Sequence, residues 1–162
     1  MLAAFTLFHV VLSLVGIGSG LVVLFGLLTS RRFDGWTLLF LITTAATSVT
    51  GFLFPFHRFL PSHAVGILSL IVLCIAIVAR YTFRLAGPWR TTYVITATIA
   101  LYFNVFVLVA QMFQKIPSLK ALAPTQSEPP FQLAQLVVLI LFIVLGILAA
   151  RKFHNTPLAP VL

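Results

Sequence analysis

Acidic side chains are almost missing from this sequence, in which Asp34 and Glu128 are the only two carboxylates among 162 residues. Hydrolysis by a carboxylate pair would have to use both, and the topology derived below sets them on opposite sides of a membrane. Cysteine is scarcer still. The single Cys74 excludes an intramolecular disulfide and a CxxC metal or redox motif, and its place inside an apolar run reads as a small packing residue. Charged residues of any kind make up 7% of the chain, against about a quarter in soluble domains, while apolar residues make up 61%. Twelve charged groups cannot cover the surface of a soluble fold of this size, so the chain belongs in a bilayer. There is also no nucleophile elbow, Walker loop or HExxH, so no enzyme class is implied and no reaction can be named.

Long uncharged stretches are what the sequence does have. A bilayer core about 30 Å thick needs roughly 20 apolar residues per helix, and the charged positions leave five such runs. The fold class expected is an all-α integral membrane protein. Residues 1–162 form one transmembrane domain with spans near 2–28, 36–55, 61–84, 91–113 and 131–150. The first run lacks a basic leader and stays uncharged to Ser30, too long for a cleaved signal peptide, so it is read as a retained span. Both parities of each run are apolar, which excludes the alternating pattern of a β-barrel.

The net charge of +8 suggests nucleic acid at first sight, but the basic residues stand in ones and twos with no continuous basic face, so nucleic acid is excluded as a partner. The positive-inside rule accounts for them. With the N-terminus outside, Arg31, Arg32, Arg80, Arg84, Arg90, Arg151 and Lys152 fall in the cytoplasm, and Arg58, Lys115 and Lys120 fall outside. Seven against three also makes the C-terminus cytoplasmic. Arg80 and Arg84 are expected to snorkel to inner headgroups, and Asp34 to offset Arg31 and Arg32. Glu128, just before Pro129 and Pro130, reads as a helix cap.

Lipid tails are as apolar as Leu, so helices in a bundle choose their contacts with small and polar residues. Thr6, His9, Ser13, Gly16 and Gly20 form one stripe on the first span, and Ala97, Ala100, Asn104, Val107, Gln111 and Gln114 form another on the fourth. Ser62, Gly66 and Ser69 mark the third. The second span is dense in Thr, Ser and Ala on every side, which predicts a central place. An offset of 53 or 54 residues aligns His9 with His63, Arg31 with Arg84, Trp36 with Trp89 and Thr43 with Thr96. That arithmetic suggests two tandem helical hairpins plus a fifth helix, with both histidines at one depth near the outer surface.

Candidate chemistry therefore gathers in the outer layer. His9, His63, Asn104, Gln111 and Gln135 are the candidate cofactor-binding residues, with His9 and His63 also the candidate metal ligands. Two histidines at equal depth suit axial ligation of haem b, with Gly66 making room for the porphyrin; a quinone headgroup bonded to a histidine and an amide is the second possibility. A copper or zinc ion on His9, His57 and His63 is the third. His57, beside Arg58, reads better as a wetted interfacial anchor. The expectation is redox-linked haem or quinone binding; the alternative is a non-enzymatic accessory or scaffold subunit that binds another membrane protein or a second copy of itself.

The stretch from Phe103 to Phe131, with its FNVFVLVAQMFQK and ALAPTQSEPPF segments, resembles an uncharacterised family of small bacterial multi-pass inner-membrane proteins. The resemblance implies a place in the bacterial inner membrane and brings no ligand or activity with it.

Overall fold

The computed structural model describes residues 2–54 and 61–154. Six helices carry these residues: α1 (Leu2–Leu28), α2 (Asp34–Gly51), α3 (Pro61–Ile77, continued by a π-helical turn, Val78–Thr82), α4 (Pro88–Lys115), α5 (Pro117–Leu122) and α6 (Pro129–Lys152). No strand occurs among them. Proline opens four of the helices, where its missing N–H is no loss and its fixed φ suits the first turn. Four helices have the length and apolar composition to cross a membrane: Leu2–Leu28, His63–Thr82, Pro88–Lys115 and Pro129–Lys152. The second of the five runs is not among them, because Thr, Ser and Gly dilute the hydropathy of α2.

The hub of the bundle is α4, which packs against α1, α3, α5 and α6, while α2 lies in the hairpin with α1 and against α3. This corrects the central place expected of α2. Its many small residues serve the close approach of α1, whereas the buried face of α4, Ala97, Ala100, Leu101 and Asn104, is covered from several sides. Leu24, Phe40, Leu73, Tyr93 and Phe142, one from each of α1, α2, α3, α4 and α6, join five elements into one core. Large apolar side chains such as Leu133, Val137, Ile140 and Val144 stay exposed along α6, of which only 17% of the best apolar window is buried. Apolar surface on that scale fits a lipid surround. Cys74 is also exposed, so the packing role expected of it does not hold.

Of the aligned pairs, Thr43 and Thr96 behave alike, as do threonines elsewhere in the bundle such as Thr50 and Thr98. Thr43 and Thr96 each donate a hydroxyl back to the preceding turn, to Leu39 O at 2.7 Å and Thr92 O at 2.8 Å. Ser30, in the turn after α1, and Arg84, in the turn after Thr82, take positive φ, 55° and 50°, whereas Arg31, the residue aligned with Arg84, does not.

Arg80 departs most from expectation. The π-helical turn adds a residue to the last turn of α3 and swings Arg80 inward, where it is 3% exposed instead of snorkelling. Its guanidinium pairs with the Asp34 carboxylate at the start of α2, and its Cζ lies 5.2 Å from the centroid of the Tyr93 ring. Asp34 also meets Arg32, at 3.6 Å, but not Arg31.

Candidate functional site

At the opposite end of the bundle, the first half of α1, the end of α2, the start of α3 and the last half of α4 line a half-open cavity of about 570 Å³. The two helical stripes read from the sequence converge on it. Thr6, His9 and Ser13 come from α1, Gly66 and Ser69 from α3, and Asn104, Val107 and Gln111 from α4. His9, His63, Asn104 and Gln111 thus share one wall system, together with Thr47, Ser48 and Lys115. Gln135 does not join them. It is buried between α6 and α4, where its Nε2 donates to Phe106 O at 3.1 Å. His57 and Arg58 lie outside the described residues, and the side chain of Ser62 is likewise not described.

Each polar side chain is held by its own helix geometry. His9 sits on the α1 face that meets α2, and its Nδ1 is 2.8 Å from Thr50 Oγ1. Asn104 is 7% exposed and donates from Nδ2 to Thr44 Oγ1 at 3.0 Å, linking α4 to α2 where α1 comes close. That approach depends on Gly16: a Cβ there would stand 3.2 Å from Thr44 Oγ1 and 3.5 Å from Asn104 Nδ2. Asn104→Leu should therefore cost about 1–3 kcal/mol, since Thr44 loses its partner and a branched side chain meets a polar junction. Thermal unfolding in detergent checks this. Ile95→Leu, at an exposed position on the same helix, is expected to leave the midpoint unchanged.

Two hydroxyls in the cavity wall, Thr47 Oγ1 and Ser69 Oγ, are buried without a hydrogen-bond partner among the described residues. Buried polar groups in folded proteins almost always have one. A rotation between staggered wells is enough to re-aim either hydroxyl.

Two phenylalanines escaped the sequence reading. Phe52 stacks on His63 with ring centroids 5.7 Å apart, and Phe54 meets His9 edge-on at 5.1 Å. The Phe52 ring occupies the flat face of Gly66, 3.1 Å from where a Cβ would be. Gly66 thus makes room for Phe52, which corrects the space reserved there for a porphyrin. The clue in the sequence is the FLF triplet directly after Gly51, at the end of a helix whose neighbours both carry histidine.

Beside the cavity, α5 and the following turn close over the end of α4. Gln114 Nε2 donates to Gln126 Oε1 at 3.1 Å, and Gln126 Nε2 donates to Ala110 O at 2.7 Å. Glu128 does not cap α6 with its side chain as expected. Its carboxylate turns back to accept from the Thr125 N–H at 3.1 Å, the Thr125 hydroxyl at 2.8 Å and the Ser127 N–H at 3.1 Å. Desolvation pushes its pKa up, but these hydrogen bonds outweigh that and hold it below the ordinary carboxylate value.

No group of three or more metal-ligating side chains forms among the described residues. No family model, curated protein or solved structure matches the chain.

Proposed function

We propose that the cavity binds the headgroup of a small redox-active, membrane-soluble molecule, a quinone or quinol. The observation that carries this is the composition of the wall: His9, Asn104 and two unpartnered hydroxyls, Thr47 and Ser69, stand with further polar groups from Thr6, Ser13, Ser48, His63, Gln111 and Lys115 among Val, Leu, Ile, Met and Phe side chains. Ligand sites of this kind are mostly apolar, with a few polar groups that fix orientation. Haem is the weaker reading of the same histidines. Bis-histidine ligation needs both rings to face one iron across an open gap, whereas Phe52 covers His63 and Phe54 abuts His9.

The spectrum of the purified protein tests this. Oxidised-minus-reduced spectra are expected to show an ultraviolet quinone band and no Soret band, with the ultraviolet band lost in His9→Ala. A Soret band lost in both His9→Ala and His63→Ala would install haem instead. A spectroscopically silent protein that co-purifies with another membrane protein would favour an accessory subunit.

We further propose five spans in a bacterial inner membrane. At 1.5 Å per residue the 18 residues of α2 reach about 27 Å, close to the thickness of the hydrocarbon core. Five spans with seven basic residues on one side place the N-terminus outside, the C-terminus in the cytoplasm and the cavity on the outer side. A reporter fused after Leu162 is expected to read as cytoplasmic, and one inserted at 123–127 as external; the reverse pair would overturn the orientation.

A further inference from the structure

We propose that Thr50 locks His9 into a single tautomer whose free ring nitrogen is a hydrogen-bond acceptor, so that the cavity selects the reduced, hydroxyl-bearing form of its headgroup. This rests on the reading of the cavity as a headgroup site. It follows from counting hydrogens along one chain of contacts.

Thr50 Oγ1 lies 2.7 Å from Ala46 O and 3.2 Å from Thr47 O. Carbonyl oxygens carry no hydrogen, and two oxygens approach to 2.7 Å only with a proton between them. The single hydroxyl hydrogen of Thr50 is therefore committed to the preceding turn of its own helix. His9 Nδ1 stands 2.8 Å from the same Oγ1. With the hydroxyl hydrogen used, the imidazole must supply the one in this contact, so Nδ1–H donates and Thr50 accepts. In the neutral ring Nε2 is then left with a lone pair. No hydrogen bond to Nε2 occurs among the described residues, and the ring belongs to the cavity wall.

A quinol presents O–H groups and a quinone only carbonyl oxygens. The locked, neutral His9 accepts a hydrogen bond from the first and meets the second lone pair to lone pair. One net hydrogen bond corresponds to about a fivefold difference in affinity. His9 and Thr50 are thus the residues that set which redox state the cavity holds. Thr50 acts only through His9, as a positioning residue.

Two measurements on the full chain in detergent test this. The first is nitrogen NMR of protein labelled with 15N-histidine, with the His9 signals identified by their loss in His9→Gln. A protonated Nδ1 and a bare Nε2 are expected, with the preference erased in Thr50→Val and restored in Thr50→Ser. The second is equilibrium binding of decylubiquinol and decylubiquinone, with the quinol expected to bind about fivefold more tightly in wild type and Thr50→Ser, and equally in Thr50→Val. A His9 protonated on Nε2 overturns the tautomer lock while leaving the cavity a headgroup site. The expected tautomer with equal binding of the two forms, or tighter quinone binding, overturns the selectivity. Binding of neither form overturns the headgroup reading itself, whatever the tautomer.

Discussion

Gly20→Leu is expected to be the most damaging single substitution in the membrane domain, costing upward of about 3 kcal/mol, while Gly18→Leu two residues away should be tolerated. At Gly20 the helix backbone of α1 lies directly against α2 and α4. An added Cβ would stand 2.6 Å from Leu101 Cδ1 and 2.8 Å from Phe40 Cε2, and both of those residues are 1% exposed. Neither can withdraw without displacing the core around Tyr93 and Phe142. Gly18 has no atom within 4 Å of the equivalent point and faces outward. Thermal unfolding of the two variants in the same detergent decides the matter. Equal stability would mean that α1 is rotated or set back from α2.

Asp34→Ala should be the second most damaging, because it strands the Arg80 guanidinium in a site where that side chain is 3% exposed. Removing one partner of a fully buried pair costs about 3–5 kcal/mol. The Asp34 side chain is 64% exposed, so water screens part of the interaction and the expected loss is nearer 2 kcal/mol. Asp34→Ala combined with Arg80→Met should recover most of it, since Met can still pack on Tyr93 without carrying an unpaired charge. A double variant no more stable than Asp34→Ala alone would show that the Arg80 cation is held by its aromatic neighbours and does not need the carboxylate. Because the cluster ties α2 to α3 and lies against α4, the same pair of variants reports on how the cavity-bearing helices are held at their other end.

Much of the cavity was legible in the sequence for a definite physical reason. When the surrounding solvent is as apolar as Leu, only small and polar residues gain by facing inward, so the Thr6–His9–Ser13–Gly16–Gly20 stripe identified the packed face of α1. The Ala97–Ala100–Asn104 stripe did the same for α4. His9 and His63 were found through their matching offset from Arg31 and Arg84, and both line the cavity. Gln135 showed the limit of that logic: α6 is apolar all round, so one amide on it did not reveal which neighbour it bonds. Arg80 was hidden for another reason. An arginine at the end of an apolar run reads as an interfacial anchor, and only the π-helical turn, which no residue pattern announces, turns it into the core. Phe52 and Phe54 were missed because aromatic residues in a lipid-facing sequence carry no information about direction.

The central claim, that the space between α1, α2, α3 and α4 is a headgroup site, is tested most directly by filling it. Decylubiquinol binding is to be measured for wild type, Ser13→Phe and Gly18→Phe, with thermal unfolding confirming that each variant is folded. Ser13 lines the cavity, and Gly18 lies on the outward face of the same helix. The account predicts saturable binding to wild type and to Gly18→Phe, and at least a tenfold loss in Ser13→Phe. Undiminished binding to a folded Ser13→Phe protein would contradict it, because the ligand would then sit somewhere other than between these four helices.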